Sequence, residues 1–301
     1  MILYNYLNNI NNDSINNLEI FNHTILEDIE NYKKKIIISD NYNVCFIISC
    51  KYNRNYITYI KYYVDNIIKY YTNYLIIIID NNSIYIDEII TLFNFLNYKN
   101  IIILTNNIEC KFEIGAYKMG IIYLFKNDLI DKYDYYVFTQ DNFVLKNKYD
   151  FNIFKNNNIY ASPIIYLTLY SGYENDHPWL INTTSEIIKQ LNLIEDSYNI
   201  IHGCWCHSFI LHKSKIIDFY NITKNIIIKD RAYSVCSEFY LPNILLQLNN
   251  NKLFTIDGYS DFYNGIHHNI KYDIYSKYIN IDSHYFEKKF QSKTENTIEN
   301  F

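Results

Sequence analysis

The sequence predicts an α/β fold with a mostly parallel central sheet flanked by helices. Short runs of apolar, β-branched residues, such as 75–79, are typical of strands buried on both faces. Stretches with helical periodicity separate these runs. Polar turn residues follow each run, and this alternation indicates βαβ units. The alternation loosens after Phe151, so we expect a mixed second half.

The individual elements follow from the same patterns. In the first half, the sequence predicts strands at 44–49, 75–79, 101–104 and 135–138, and helices at 56–70, 85–96 and 118–129. In the second half it predicts a turn at 176–179, a helix at 184–193 and a strand at 204–211. A further helix starts near Glu238 and runs to Leu248, and we expect Ser234 or Ser237 to cap it. Polar segments at 1–42 and 286–301 would form a lead-in and a tail around one domain at 43–285, divided near residue 150.

The composition is strongly biased. Of 301 residues, 56 are Ile, 44 are Asn and 34 are Tyr, whereas only 6 are Gly, 3 are Pro and 2 are Arg. Residues with AT-rich codons are thus favoured, and an AT-rich genome explains the abundant Asn better than a prion-like function does. A residue that persists against this bias, such as Arg54, is therefore a stronger candidate for a physical role.

Charge and cysteine usage exclude several classes of protein. The net charge of −5 lacks the basic field of a protein dedicated to duplex nucleic acid. No run of about 18 apolar residues predicts a membrane span, and the N-terminus lacks the pattern of a secretory signal. The six cysteines contain no Cys-x-x-Cys pair. We therefore expect reduced thiols and a cytoplasmic location.

Several common site motifs are absent or incomplete. Gly115 and Gly120 have the spacing of a phosphate-binding loop, but Ile121 and Ile122 follow where Lys and Ser or Thr are required. The chain has no Gly-x-Gly-x-x-Gly, no Gly-x-Ser-x-Gly and no His-Glu-x-x-His. A standard dinucleotide site, a serine-hydrolase elbow and a zincin site are therefore disfavoured.

Polar residues follow the predicted strands, where open α/β sheets bind ligands. Asp80 is suited to accept a hydrogen bond from a base or ribose, although a turn Asp is about as common. Arg54 suits a diphosphate or carboxylate, with a plain surface charge as the alternative. Asp141 suits a hard divalent cation that also holds phosphate oxygens, with a plain turn as the alternative. The sequence thus predicts a polar edge of both charge signs.

Later residues supply further candidates. Glu238 would act as a general base, or it would be the acid that any first helical turn favours. His267 and His268 follow Gly258 and Gly265 in a predicted loop and would bind a metal or phosphate, or have no role. The pattern Cys204-Trp205-Cys206 indicates core packing.

Together these segments, over roughly 43–270, resemble the GT-A fold glycosyltransferases of the family 2-like kind. Asp80-Asn-Asn-Ser83 resembles their nucleotide-binding Asp-x-x-Ser, and the stretch from Glu113 to Gly120 resembles their Gly-Ala segment. Residues 138–142 resemble the Asp-x-Asp metal motif, except that Thr139 replaces the first Asp. The composition resembles that of related proteins in large AT-rich DNA viruses, which would place the protein in the host cytoplasm or the virion.

The resemblance implies a function and a set of roles. It implies a metal-assisted, inverting transfer of a sugar from a UDP- or GDP-linked donor to a glycan or protein acceptor, with a nucleotide half at 43–150 and an acceptor half at 151–285. Glu238 would deprotonate the acceptor hydroxyl. Mn²⁺ or Mg²⁺ would bind Asp141, His267 and His268. The donor would bind Ser49, Lys51, Arg54, Asp80, Ser83, Gly115, Ala116, Lys118 and Gln140.

Two other functions stay open. The incomplete metal motif favours a non-catalytic sugar- or protein-binding module on a degenerate transferase fold. A nucleotidyltransferase would also use carboxylates and a metal, but it usually has an early Gly-rich basic loop, which this sequence lacks.

Overall fold

The fold is described by a computed structural model. It covers residues 42–51, 57–141, 143–145, 148–164, 166–169, 178–193, 201–204, 207–228, 230–250, 281–282 and 286–288. Three predicted site residues, Arg54, His267 and His268, therefore lie outside the described residues. Within the described ranges, no helix combines the length and apolarity needed to cross a membrane.

Helices and short strands alternate along the described chain. The strands are β1 (Val44–Cys50), β2 (Tyr74–Asp80), β3 (Ile101–Thr105), β4 (Tyr135–Gln140), β5 (Phe143–Leu145), β6 (Ala161–Pro163), β7 (Tyr166–Leu169), β8 (Ile201–Cys204), β9 (Phe209–His212), β10 (Ile281–Asp282) and β11 (Phe286–Lys288). The helices are α1 (Ile57–Tyr70), α2 (Ile86–Phe95), α3 (Phe112–Lys126), α4 (Asn152–Asn157), α5 (Pro178–Gln190), α6 (Ile216–Thr223) and α7 (Arg231–Leu248). A 3₁₀ turn at Lys213–Lys215 precedes α6.

A six-stranded sheet organises the molecule, with strand order β3-β2-β1-β4-β9-β6. The first four strands in this order are mutually parallel. β9 is antiparallel to both of its neighbours, β4 and β6. Two smaller sheets have the orders β10-β11-β5 and β7-β8. The predicted α/β class, with a mostly parallel sheet and a mixed second half, is confirmed.

The sheet is buried on both faces because helices pack against each side. Successive strand residues point to opposite sides and so contribute to both cores. On one face, Phe46 and Ile78 pack with Tyr63 of α1 and with residues of α2. On the other face, Ile47 and Phe138 pack with residues of α3, α6 and α7. This two-sided burial explains why the strands were visible in the sequence as unbroken apolar runs.

Aromatic packing joins the two halves of the sheet. The rings of Phe138 in β4 and Phe209 in β9 stack with centroids 4.4 Å apart, and Tyr117 of α3 contacts both edge-on. Offset aromatic pairs of this kind add to the energy of simple burial. The antiparallel strand is therefore part of the same core as the parallel ones.

Three helices, α3, α5 and α7, begin earlier than the sequence indicates, α5 at Pro178 and not at 184. α3 starts at Phe112, not at 118, because its glycines hide its helical pattern. A Cβ on Gly120 would lie 2.7 Å from Cγ2 of Ile47, so this glycine lets the helix approach the sheet closely. α7 starts at Arg231, and the Asp230 side chain caps it by accepting a hydrogen bond from the backbone N–H of Tyr233 (3.0 Å).

The prediction that Ser234 or Ser237 caps α7 is therefore wrong, and Glu238 does not lie in its first turn. The single strand predicted at 204–211 is confirmed only at its two ends, which belong to different strands. β8 ends at Cys204 and β9 begins at Phe209, and His207 between them has a left-handed backbone with φ of 51°. Such a conformation interrupts a strand. The predicted turn near 178 is the start of α5, where Pro178 occupies the first helical position.

Candidate functional site

The candidate site lies at the carboxyl ends of β1, β2 and β4. Cys50 pairs in register with Asp80, and Ser49 pairs with Gln140. The sheet is built outward from β1 to β3 on one side and continues with β4 on the other, so the strand order reverses between β1 and β4. Open α/β sheets bind ligands in the crevice at this reversal. The residues that border it are Ser49, Lys51, Gln140 and Asp141.

Asp80 is the last residue of β2 and begins a tight turn. The backbone N–H of Ser83 donates to both carboxylate oxygens at 3.1 Å, and the Ser83 hydroxyl donates to one of them as well. Asn82 completes the turn in a left-handed conformation. Burial raises the pKa of the Asp80 carboxyl, while the hydrogen bonds from Ser83 and Asn82 and the charge of Lys51 oppose the increase. Asp80 and Ser83 are therefore brought together, and Ser83 fixes the carboxylate.

Amide side chains connect the ends of three strands. Asn106, which follows β3, donates from Nδ2 to Oδ1 of Asn81 at 2.9 Å. Asn81, which follows β2, donates from Nδ2 to the Ser49 hydroxyl at 3.0 Å. Ser49 lies at the end of β1. This chain of hydrogen bonds sets the position of the Ser49 oxygen at the edge of the crevice.

Asp141 is buried directly after β4. Its backbone N–H donates to the carbonyl of Ser49 at 3.0 Å, and its Oδ2 accepts from the backbone N–H of Lys51 at the same distance. Thr139, which replaces the first Asp of the expected metal motif, shares a buried hydrogen bond of 2.9 Å with the hydroxyl of Tyr63. A carboxylate at position 139 would therefore lie in the core.

The Asp141 carboxylate fits one of the ways in which proteins bind Mg²⁺. In the part of the chain that the structure describes, no group of three or more His, Cys, Asp or Glu is placed to hold a metal. Mg²⁺, however, is commonly bound through one or two carboxylates and completes its coordination with substrate phosphates and water. A single buried carboxylate at the crevice fits that mode.

Three predicted donor-binding residues of α3 have contacts within the protein. A Cβ on Gly115 would lie 1.9 Å from the carbonyl oxygen of Cys110, so glycine is required by a close backbone approach. Ala116 is fully buried in the core below α3. The Lys118 ammonium donates to two backbone carbonyls, of Lys224 and Ile226, at 2.9 and 2.7 Å. These contacts explain the three residues structurally, and their roles toward a donor stay predictions.

A second cluster of charged groups lies beside the crevice. It consists of Glu113 in α3, His207 before β9 and Glu238 in α7. Nδ1 of His207 lies 3.7 Å from Oε2 of Glu113 and 3.8 Å from Oε1 of Glu238. The imidazole is 2% exposed, whereas the two carboxylates are 13% and 16% exposed. Both acids can therefore be reached from outside, and the imidazole between them cannot.

Gln140 connects this cluster to the crevice. Its Nε2 donates to Oε1 of Glu113 at 2.8 Å, and the Ser234 hydroxyl donates to Oε2 of Glu113 at 3.1 Å. Burial by itself would raise the pKa of Glu113. Attraction to Arg231, and to His207 when its ring is protonated, together with the hydrogen bonds to the carboxylate, outweighs burial, so this pKa lies below its usual value. Glu113 is therefore an ionised carboxylate at neutral pH.

The sequence did not identify Glu113 or His207 as site residues. Glu113 was visible only as part of the segment before Gly115, and His207 was visible only as part of a supposed strand. Glu238, which was identified, lies in the same cluster.

Comparisons with known proteins give distant structural matches alone. No family model matches the sequence, and no curated protein matches it. The apo structure of WbbM, a bifunctional glycosyltransferase, matches at a TM-score of 0.38 with 12% identity, over 80% of this chain and 44% of that one. Core-mannan synthase A from Aspergillus fumigatus, in its Mn/GDP form, matches at 0.33 with 11% identity, over 71% and 68%.

The mannosyltransferase Ktr4p from S. cerevisiae matches at a TM-score of 0.32 with 12% identity, over 76% of this chain and 72% of that one. The chain thus spans less than half of the bifunctional enzyme. These solved structures are glycosyltransferases, but TM-scores this low transfer no function to the present chain. Its function has to be inferred from its own side chains.

Proposed function

We propose that the protein transfers a sugar from a nucleotide-sugar donor to a hydroxyl acceptor, on a fold of the GT-A type. The observation that carries this proposal is the contact between two sets of groups. The strand ends offer Asp80, Lys51 and Asp141 around a crevice suited to a nucleotide. Through Gln140, this crevice adjoins a pair of partly exposed carboxylates, Glu113 and Glu238. The hydrogen bond between Gln140 and Glu113 thus links the candidate donor site to the cluster that contains the candidate base.

The roles in the reaction follow from chemistry. The Asp80 carboxylate accepts hydrogen bonds from the base or ribose. Lys51, together with Arg54 on the sequence argument, faces the negative diphosphate. Asp141 is the described residue that would hold Mn²⁺ or Mg²⁺, with His267 or His268 as further ligands on the sequence argument. When bound, such a cation neutralises charge on the departing diphosphate.

The proposed sugar transfer is a single displacement at the anomeric carbon. The acceptor oxygen forms a bond to the anomeric carbon as the bond from that carbon to the phosphate oxygen breaks. The electron pair of the broken bond leaves with the nucleoside diphosphate. Glu238 takes the proton of the acceptor hydroxyl, as a general base does. One displacement inverts the anomeric configuration.

Binding and turnover test the two parts of this proposal separately. Calorimetric titration with UDP and GDP, with and without Mn²⁺, is expected to show one preferred nucleotide and tighter binding with the metal. Asp141→Asn should remove the metal dependence. Asp218→Asn, an exposed acid in α6, is the matched control and should bind as the wild type does. If neither nucleotide binds under any condition, the proposal is wrong.

Transfer is measured as release of the nucleoside diphosphate from a panel of sugar nucleotides with glycan or peptide acceptors. Glu238→Gln is expected to lower kcat by about 10²-fold or more while donor affinity stays unchanged. Glu186→Gln, an exposed acid in α5, is the control. Full activity of Glu238→Gln would refute the assignment of the base.

A non-catalytic binding module is the second candidate. Thr139 favours this candidate. Its hydroxyl is hydrogen-bonded to Tyr63 in the core, so the segment that resembles the Asp-x-Asp metal motif has one carboxylate, that of Asp141. A protein of this kind would bind a nucleotide or sugar and release no diphosphate in the presence of any acceptor. The same two assays therefore distinguish the candidates.

A further inference from the structure

The hydrogen-bond partners of His207 restrict where its protons are. Nε2 lies 3.0 Å from the carbonyl oxygen of Ser234 and 2.5 Å from the hydroxyl of Ser237. The Ser237 hydroxyl donates to the same Ser234 carbonyl at 2.6 Å. A carbonyl oxygen can only accept, so the contact between Nε2 and Ser234 is a hydrogen bond only when Nε2 carries the proton. Nε2 must therefore carry a proton and donate it.

The other ring nitrogen faces negative charge. Nδ1 lies within 4 Å of a carboxylate oxygen of Glu113 and of Glu238. If Nε2 holds the only proton of a neutral ring, the Nδ1 lone pair lies within 4 Å of two anions, which is repulsive. A second proton on Nδ1 turns both contacts into attractive ones. The geometry of the two nitrogens thus favours the doubly protonated ring.

The charges around the ring are consistent with this state. Among the described residues, α3 contributes Glu113 to the cluster, and α7 contributes Glu238 and Arg231. The hydrogen-bond partners of Nε2, Ser234 and Ser237, are uncharged. An imidazolium is attracted to both carboxylates of the cluster. Burial disfavours an isolated charge, and the two acids offset this cost.

We infer that His207 is an imidazolium between Glu113 and Glu238, and that it is the positioning residue that holds both carboxylates ionised and oriented at the acceptor side of the site. The consequence for catalysis rests on the proposed function, but the protonation state does not. With the imidazolium in place, Glu238 is kept as the charged base before the acceptor arrives. Loss of the Nδ1 proton would drive the two acids away from the ring.

The protonation state is measured directly by NMR on protein labelled with ¹⁵N in its histidine rings. Signals of His207 are assigned by their loss in His207→Gln, and those of His212 by their loss in His212→Gln. We expect the His207 ring to show the doubly protonated pattern at pH 7. His212, whose pKa is lowered by burial and by the charge of Lys213, should show a neutral ring there. A neutral His207 at pH 7 would overturn the inference.

A titration of protein that retains His207 gives a second measurement. In Glu113→Gln, one of the two anions beside Nδ1 is removed, so His207 should lose its proton at a lower pH than in the wild type. Glu186→Gln, outside the cluster, should leave the transition where it is. An unchanged transition in Glu113→Gln would contradict the proposed pairing. Neither measurement depends on enzymatic turnover.

Turnover then tests the positioning role. The pH profile of kcat is expected to fall on the alkaline side, at the pH where NMR shows His207 losing its proton. His207→Gln should lower kcat about tenfold or more with unchanged nucleotide affinity, and should remove this alkaline limb. His212→Gln should keep both the rate and the limb. An alkaline limb that persists in folded His207→Gln would refute the positioning role and leave the proposed transfer reaction standing.

Discussion

Replacing Gly115 with Ala tests how tightly α3 packs against the loop before it. The new Cβ would lie 1.9 Å from the carbonyl oxygen of Cys110 and 2.9 Å from Nδ2 of Asn106. Real contacts of a Cβ atom stay at or above about 3.0 Å, so the helix or the loop must move by about 1 Å. The obstacle is backbone, and a change of side-chain rotamer cannot relieve it.

The expected cost follows from two opposing effects. Overpacking of this kind costs about 1–3 kcal/mol, and a backbone obstacle favours the upper end. Alanine in place of a helical glycine returns up to about 1 kcal/mol. We therefore expect Gly115→Ala to lower the free energy of unfolding by about 2 kcal/mol, which corresponds to a fall in Tm of roughly 4–8 °C.

Gly120→Ala is the matched control in the same helix. Its Cβ would meet a side-chain methyl, Cγ2 of Ile47, at 2.7 Å, so a shift of a few tenths of an ångström is enough. Urea unfolding followed by circular dichroism measures both variants. The smaller overlap predicts a smaller loss for Gly120→Ala. If Gly115→Ala were as stable as the wild type, the packing argument would be wrong.

The same substitution is expected to reach the candidate site. The carbonyl of Cys110 that the new Cβ would strike accepts a hydrogen bond from Nδ2 of Asn106. That amide also donates to Asn81, which in turn positions the Ser49 hydroxyl. On the proposed function, Gly115→Ala should therefore weaken nucleotide binding more than Gly120→Ala does.

Three further predictions concern charged side chains that are buried or partly buried. Burial raises the pKa of the Asp80 carboxyl. Its contribution to folding stability is therefore most favourable at low pH and is lost as pH rises through that pKa. The Tm of Asp80→Asn relative to the wild type should be highest near pH 7 and fall toward pH 4. A difference in Tm between the two proteins that stays constant from pH 4 to pH 7 would contradict this prediction. For Glu113 the pH dependence has the opposite sign, because its lowered pKa stabilises the fold at pH values above the ordinary 4.5. Glu113→Gln should therefore lower Tm at pH 7, and this loss should disappear in acid. Thermal scans over a range of pH measure both. Lys118→Met leaves two backbone carbonyls, one of them buried, without their donor and should cost about 2 kcal/mol in urea unfolding, whereas Lys126→Met, exposed in the same helix, should cost little.

The parallel half of the fold could be predicted because its strands are buried on both faces. Runs such as the one ending at Asp80 remain apolar throughout, and each is followed by a polar turn that marks its carboxyl end. The start of α3 could not be predicted from propensity, since Gly115 and Gly120 are helix-breaking types that are needed here for close packing. Tertiary contacts decided that helix.

The charged cluster was harder to predict than the crevice. The crevice residues follow strand ends, so topology alone brings Asp80 and Asp141 to one edge. The cluster unites Glu113, His207 and Glu238 from three separate segments, and His207 depends on a left-handed turn that its neighbours do not indicate. The roles assigned to Asp80, Asp141 and Glu238 stay predictions that the proposed assays address.

The position of β9 bears on how this protein could change over evolutionary time. β9 belongs to the second half of the chain, yet it is hydrogen-bonded along β4. A version ending near residue 150 would uncover the β4 edge, and an exposed edge strand is a template for aggregation. The second half of the chain is therefore not an exchangeable module. On the proposed function, new acceptor preferences would have to arise by substitutions in the loops around an unchanged sheet, so we expect relatives with different acceptors to differ in loop sequence and to keep the same strand order.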